Sequence, residues 1–463
     1  MDIFSAQTSS FLSWFQALPG ATFHPDIAIE DLRGRKAGRG IVLFTIPRDA
    51  IICATTSPLK EKIPDVFDLD RDDDEDEDGR SAQDSWTLLI LVLMYEHLQG
   101  ESSRWKPYLD VLPSSFDTPM FWAPDELAEL QASALVGKVG KEEADRMIRT
   151  KVVSVIREHE NVFFPPGTRR LDDEELFALA HRMGSTIMAY AFDLENDEDG
   201  EDNDEDDEWV EDREDKTMLG MVPMADMLNA DAVFNAHINH GKDTLTATAL
   251  RTIRAGEEIL NFYGPLSSAE LLRRYGYVTQ NHSRYDVVEL PWALVEQEVR
   301  ARVAGNMADA DWAKVRRLVE SDDEFEEAFV LERSSEDPDA TGQVNGEAVF
   351  EGLPDELGRQ FRGLLKAIKK VGNVEMAVQA LEDKEMRKGL YLQCVLSALR
   401  AREQQYATTL EEDDKLLDGA CEGRRRMAIW VRRGEKQLLR EAQSWIRRQS
   451  DEDWAPPAKK RRL

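Results

Sequence analysis

The chain has 463 residues, 42% of them apolar, with 58 basic and 91 acidic side chains and a net charge of −33. That length exceeds what one hydrophobic core serves, so two or three domains are expected. The charge argues against a general binder of nucleic-acid phosphates, and the scattered Cys53, Cys394 and Cys421 exclude a disulfide framework or a metal-spaced cluster and point to a reducing compartment.

Residues 3–17 carry an amphipathic helical pattern in Ile3, Phe4, Phe11, Leu12, Trp14 and Phe15, without the basic flank or long apolar core of a signal peptide. Short strands are predicted at 27–29 and 40–46, the second stopped by Pro47. Residues 68–78 then hold nine acids and one arginine. Helical periodicity follows at 84–98, 124–136, 141–158 and 172–192, with Asp172, Glu174 and Glu175 suited to a helix N-terminus. The run 86–95 is the most apolar and is too short to span a bilayer. A second acidic run, 193–215, holds sixteen acids and one arginine. Without the two runs the net charge is about −10, so the acidity is local, and both runs read as disordered, self-repelling loops. They serve either as solvated spacers or as long-range attractors of basic proteins.

Strands return between 218 and 263. Residues 244–250 alternate polar and apolar side chains, a turn falls at Ala255-Gly256, and 258–262 follows as a strand. Beyond Pro291 nearly everything is helical, including one long charged amphipathic stretch at about 408–448. The tail Lys459, Lys460, Arg461 and Arg462 reads as a nuclear import signal for an import receptor, or as a solubilising end. The expected organisation is α+β. It comprises an N-terminal helix at 1–23 and a β-sheet domain at 24–264, with a helical insertion at about 80–192 and acidic loops at 65–79 and 193–215. A short segment at 265–290, a helical domain at 291–450 and a basic tail at 451–463 complete it.

Three pieces in the second half are weak singly. Val222-Pro223-Met224-Ala225-Asp226-Met227-Leu228-Asn229 is apolar with Asp226 and Asn229 embedded, and Asn229-Ala230-Asp231 alone is a common Asx turn. Arg254-Ala255-Gly256-Glu257 is an ordinary turn. Tyr263 in Asn261-Phe262-Tyr263-Gly264 and Tyr275 in Arg274-Tyr275-Gly276 would individually pass for core tyrosines. Upstream stand Ala37-Gly38-Arg39-Gly40, Ser103-Arg104-Trp105-Lys106-Pro107-Tyr108-Leu109, Pro119-Met120-Phe121-Trp122, Met188-Ala189-Tyr190-Ala191-Phe192 and Asn235-Ala236.

In this order and at these spacings the chain resembles the SET-domain protein-lysine methyltransferases, within them the Rubisco large-subunit methyltransferase-like group that includes the ribosomal lysine methyltransferase type. The resemblance is strong over about residues 20–290 and positional over the helical remainder, which it casts as a substrate-binding domain. It implies S-adenosyl-L-methionine as cofactor and a lysine of a large-subunit (60S) ribosomal protein as target, with a histone or another nuclear protein as the runner-up. Both substrates are basic, and neither nucleic acid nor membrane is a partner on this reading. Tyr275 becomes the catalytic tyrosine, with Tyr263 on the channel wall near the methyl group. Cofactor contacts fall to Gly38, Arg39, Gly40, Tyr190, Asn229 and Ala230, together with the two tyrosines, and substrate contacts to Trp105, Ala191 and Asp193. No metal is implied. Most SET enzymes carry Asn-His where this chain has Asn229-Ala230, so an imidazole is missing while a backbone contact is kept.

The chemistry suits such residues. Methyl transfer from a sulfonium to an amine needs a neutral lysine and in-line alignment, so positioning and electrostatics dominate. A narrow tyrosine-lined channel strips water from the lysine and lowers its pKa, while aromatic faces hold the alkyl ammonium before deprotonation. A Rossmann-type methyltransferase is disfavoured, because Gly38-Arg39-Gly40 precedes a strand instead of opening a helix. A SET-like scaffold that binds basic proteins without methylating them is the remaining rival, with Ala230 as its support.

Overall fold

Polar and apolar residues alternate along Thr244–Ala249, and the strand they form buries Leu245 and Ala247 on one face. The computed structural model describes residues 3–29, 42–67, 85–195 and 217–452. That strand is third in a four-stranded antiparallel sheet ordered Thr22–Phe23, Val42–Pro47, Thr244–Ala249, Ala236–His240. The register shifts between Val42 and Phe44, and the irregularity lets the consecutive residues Leu43 and Phe44 both face the core. The strand expected at 27–29 does not form. The Ile27 N–H donates to the His24 carbonyl at 3.1 Å, so the chain turns there instead of entering a ladder.

The chain falls into two compact units. The first comprises Met1–Met120, Gly140–Gly264 and Pro338–Val344. Its helix Ser85–Leu98 buries every residue from Thr87 to Glu96, which is why this run is apolar all round instead of amphipathic. The buried Glu96 carboxylate accepts from Ser57 Oγ at 2.8 Å and Ser103 Oγ at 2.6 Å. Helix Asp173–Tyr190 packs against it and starts with a capping box: Glu175 N–H donates to Asp172 Oδ1 at 2.9 Å, and Asp172 N–H donates to Glu175 Oε2 at 3.0 Å. The helix passes directly into strand Ala191–Glu195, antiparallel to Thr217–Met221. Residues 193–195, expected to begin a disordered acidic loop, are therefore strand, because ladder pairing with 217–219 engages their backbone. Residues 65–67, expected to open the first acidic loop, belong to the short 3-10 turn Pro64–Val66 and the buried Phe67 that follows it, and residues 451–452, expected in the basic tail, extend the helix Gly423–Glu452. Residues 68–79, 196–215 and 453–463 lie outside the described residues.

Gly220 on the second of these strands has a structural reason. A Cβ there would stand 2.5 Å from Leu194 Cδ1 and 2.9 Å from Ile51 Cγ2. The adjoining Met221 exchanges backbone hydrogen bonds with Ile52 at 3.0 and 2.9 Å, which draws the two segments together.

The second unit comprises Phe121–Val139, Pro265–Asp337 and Asn345–Leu463. A two-stranded pair, Val288–Pro291 with Ala328–Leu331, accompanies helices Trp292–Val303, Asp309–Glu320, Asp355–Gly372, Glu375–Glu382, Lys384–Gln404, Leu410–Asp418 and Gly423–Glu452. The single stretch expected at 408–448 is two helices. The break falls at Gly419 and Ala420, after a first helix opened by the capping box of Thr409 with Glu412.

The segment 124–136, expected within the helical insertion, belongs to this unit. Trp122, Leu130 and Leu135 pack with Leu272, Ala428 and Val431. Arg432 reaches Glu129 Oε2 at 2.9 Å, Ser133 Oγ donates to Glu435 Oε1 at 2.6 Å, and Arg402 Nη2 donates to the Ala132 carbonyl at 2.8 Å. Contacts across some 300 positions of sequence decide its placement, and local periodicity carries no trace of them.

Candidate active site

Strand Thr217–Met221 leads into the apolar segment that ends at Asn229. Met224 there has a φ of 84°, a left-handed backbone that a non-glycine residue adopts only when its surroundings hold it. The side chain of Met224 is buried, and a short 3-10 turn, Ala225–Met227, follows. Asp226 within the turn is also buried, and its Oδ2 accepts the Tyr108 hydroxyl at 2.5 Å. Burial pushes the Asp226 carboxyl up to about 7, against the opposing pull of the Tyr108 hydroxyl and nearby backbone groups. Tyr190, the last residue of its helix, is half-buried; burial first and the charge of Asp226 second raise its phenol above the ordinary value.

The turn delivers Asn229–Ala230 as a two-residue strand parallel to Leu260–Asn261. Asn229 is exposed, its Nδ2 donating to Glu258 Oε1 at 2.7 Å, while Ala230 is buried. Tyr263 follows two residues after the partner strand, half-buried, and its hydroxyl donates to the Leu228 carbonyl at 2.6 Å. One short path of structure therefore joins Asp226, Leu228, Asn229, Ala230 and Tyr263, and the charge of Asp226 acts on Tyr190.

A clamp holds the two short strands. Asn235, 1% exposed, accepts the Leu260 N–H through Oδ1 at 2.8 Å and donates through Nδ2 to the Glu258 carbonyl at 2.8 Å. Its own N–H donates to the Leu260 carbonyl at 3.0 Å. Phe234 beside it stacks on Phe262 with ring centroids 4.9 Å apart, and its N–H donates to the Gly342 carbonyl at 3.0 Å. The segment Pro338–Val344 thus backs the site segment, and Gly342, with φ +73°, sits where a Cβ would meet the Phe234 carbonyl at 2.3 Å.

The remaining expected site residues are placed variously. Ala191 is half-buried and Asp193 exposed, on the strand that continues the Tyr190 helix. Gly38, Arg39 and Gly40 lie outside the described residues. Trp105, expected to contact the substrate, stands in the core of the first unit. It is 1% exposed, its indole N–H donates to the Ala50 carbonyl at 2.8 Å, and the Arg104 guanidinium lies 4.0 Å over its ring. The side chain is a core anchor whose polar atom is already used. Tyr275 belongs to the second unit. It is the last residue of helix Ser268–Tyr275, ahead of Gly276 in the left-handed conformation, and its ring stands 6.2 Å from that of Tyr277.

The comparisons with known proteins match this layout. Against solved structures, the SET domain of LSMT bound to lysine and AdoHcy aligns over 97% of this chain and 93% of that one, with a TM-score of 0.60 at 19% identity. Rubisco LSMT bound to AdoMet aligns over 96% and 92%, with a TM-score of 0.58 at 19% identity.

The chain has the SET-domain fold.

Further likenesses come at the level of sequence. This SET-fold chain is 34% identical over 317 residues to ribosomal lysine N-methyltransferase 4 of Saccharomyces cerevisiae, covering 65% of this chain and 60% of the yeast protein. It is 30% identical over 289 residues to N-lysine methyltransferase setd6 of Xenopus laevis, covering 58% and 56%. The chain thus spans about three fifths of the length of these relatives. The Rubisco LSMT substrate-binding family model matches residues 379–439, within the second unit of the SET-fold chain.

Asp226, Tyr108 and Asn235 are the site residues to which the sequence assigned no role. All three stand inside the quoted motif pieces of this SET fold, and the signal was chemical: a carboxylate and an amide within apolar runs must find partners when buried. The Asp226 carboxyl offers a test. With a folded value of about 7 against an ordinary unfolded value of about 4, it binds more protons folded than unfolded between those limits. Its contribution to stability therefore falls as pH rises through that window. Asp226→Asn is expected to flatten this decline, seen as a smaller difference between urea midpoints at about pH 5 and about pH 7.5 than in the parent chain. An unchanged difference would place the charge elsewhere.

Proposed function

We propose that the chain is an S-adenosylmethionine-dependent protein-lysine N-methyltransferase whose substrate is a lysine of a large-subunit ribosomal protein. The observation that carries the reading is the joined set of Asn229, Ala230 and Tyr263 on a SET fold. The likeness to the yeast ribosomal lysine N-methyltransferase supports the substrate class.

The donor set fits such a cofactor. An exposed amide on Asn229, two half-buried phenols and the backbone at 228–230 suit a zwitterionic amino-acid end and a flat heteroaromatic ring. The Glu258 carboxyl beside Asn229 suits a molecule that carries positive charge. When bound, S-adenosylmethionine supplies an electrophilic methyl group on a sulfonium. Tyr190, Asn229, Ala230 and Tyr263 would hold it, with Gly38, Arg39 and Gly40 completing the cradle. The chain's own residues do the rest. Tyr263, fixed by its bond to the Leu228 carbonyl, loses little entropy on forming a wall of the lysine channel. Apolar surroundings disfavour the ammonium form of an incoming lysine and release the neutral amine. Tyr275 orients the amine through its phenol, and Ala191 and Asp193 meet the substrate peptide. The net charge of −33 draws a basic substrate at long range, in a salt-dependent way. Lys459, Lys460, Arg461 and Arg462 would bring the chain to the nucleus through an import receptor.

The test is a side-by-side assay of the full chain with methyl-labelled cofactor, purified 60S proteins and core histones. Label on one 60S protein is the expected result. Label on histones alone overturns the ribosomal substrate. No label anywhere, together with no heat of cofactor binding in isothermal titration, overturns the enzyme reading in favour of a non-catalytic binder.

A further inference from the structure

The acids of this chain outnumber its basic residues by 91 to 58, yet a cavity of about 590 Å³ in the second unit is lined by Arg362, Lys366, Lys369, Lys370, Leu381 and Arg387. Five of the six are cations and none is an acid. The first four share one face of helix Asp355–Gly372, at spacings of four, seven and eight residues from Arg362. The opposite face is the buried one, through Leu357, Phe361, Leu364, Leu365 and Ile368. Arg387 approaches from helix Lys384–Gln404 and is held in place, its Nη1 donating to the carbonyls of Ala380 at 3.2 Å and Leu381 at 3.0 Å.

Cations near a helix C-terminus complement the helix dipole, but that effect fades within the last turn. It accounts for Lys369 and Lys370 and leaves Arg362, Lys366 and Arg387 unexplained. Counter-ions do not account for them either. Among the described residues, none of Arg362, Lys366, Lys369 and Lys370 makes an ion pair. Lys366 and Lys370 also border an adjoining cavity that holds Asp322, Glu324 and Glu356, but there Arg359 takes the charges of Glu324 and Glu356. The four helix-borne cations span about 12 Å of helix at 1.5 Å per residue.

We infer that this cleft binds the phosphate backbone of a nucleic acid, which a single-stranded RNA probes. The lining decides between phosphate and protein. A docked peptide needs desolvated apolar or aromatic anchor pockets, and the cleft offers one apolar side chain, Leu381, and no aromatic ring. A row of exposed cations without stacking platforms contacts backbone phosphates and ignores base identity. The overall negative charge acts against the encounter only at long range. At physiological ionic strength the screening length is about 8 Å, shorter than the row itself, so a strand that reaches the cleft meets the local positive field. The inference stands independently of the methyltransferase reading.

The test uses the full chain and a fluorescein-labelled 20-nucleotide uridine RNA, followed by anisotropy between 50 and 200 mM potassium chloride. With about four phosphate contacts, the plot of log affinity against log salt should have a slope near −3, at about −0.7 per contact. The triple variant Lys366→Gln/Lys369→Gln/Lys370→Gln should lose on the order of tenfold or more in affinity, and its slope should shrink by about 2, with the melting midpoint kept. No binding at 50 mM salt overturns the inference. So does binding that the triple variant leaves unaltered. A 20-residue polyglutamate that competes as well as unlabelled RNA overturns it in favour of an acidic protein segment.

Discussion

Under the proposed function, replacing Tyr275 with phenylalanine is expected to slow the methyl-transfer step about a hundredfold or more while leaving cofactor affinity within about twofold, the usual signature of the loss of one catalytic polar group. The substitution removes a single hydroxyl from the end of helix Ser268–Tyr275. The Ser267 cap, which accepts the Glu270 N–H at 3.2 Å, and the left-handed Gly276 that ends the helix are untouched. Folding should therefore be unaffected, and a melting curve superimposable on that of the parent chain checks it. Single-turnover rates with labelled cofactor give the first quantity, and isothermal titration gives the second. Tyr263 should behave differently. Its hydroxyl ties the chain to the Leu228 carbonyl, next to Asn229, so Tyr263→Phe frees the segment expected to hold the cofactor and should weaken cofactor affinity as well as rate. Full turnover in the Tyr275 variant would show that the phenol serves only the fold.

Asp413→Ala is expected to lower the stability of the second unit by about 3–5 kcal/mol, the range for removing one partner of a buried charge cluster. Asp413, Arg432 and Lys436 have side chains 0%, 1% and 0% exposed. Arg432 donates to Asp413 through Nη2 at 2.9 Å and through Nε at 3.1 Å, and Lys436 pairs with its other oxygen. Burial pushes the Asp413 carboxyl up, but hydrogen bonds from Arg432 and Lys436 hold it below the ordinary value. A depressed folded value means that the stabilisation is present above the ordinary carboxylate range and is lost as pH falls through the folded value. Without Asp413, Arg432 keeps Glu129, and Lys436 keeps the Thr408 carbonyl at 2.9 Å and Thr408 Oγ1 at 3.1 Å, yet one buried positive charge is uncompensated. Denaturant unfolding followed by tryptophan fluorescence measures the loss. A change under about 1 kcal/mol would mean that water reaches the cluster.

Local patterns were read well where local forces decide. The helix Asp173–Tyr190 announced itself by its apolar period and by Asp172 and Glu175, which form its capping box. Thr244–Ala249 announced itself by alternation. The motif pieces at 188–192, 222–229 and 261–263 were legible in order, and the structure brings Asn229, Ala230 and Tyr263 together through strand pairing and the Tyr263 bond to the Leu228 carbonyl. The burial of Trp105 was not legible, because an aromatic in a motif looks the same whether it faces a ligand or fills a core. Only its bond to the Ala50 carbonyl separates the two. Net charge hides local detail in a similar way, since a sum of −33 conceals five cations on one cleft.

The sequence by itself determined the strongly periodic elements such as Asp173–Tyr190 and Thr244–Ala249, the capping box of the former and the order of the chemical motifs, because propensity, periodicity and capping act within a few residues of one another. Tertiary structure alone decided that Phe121–Val139 packs with helices some 300 residues away, that Asp226 is buried against Tyr108, and that Arg387 joins the cations of helix Asp355–Gly372. Those outcomes depend on burial and pairing between positions far apart in the chain. Burial sets the cost of a lone charge, and pairing relieves it, so neither can be read from a residue's immediate neighbours.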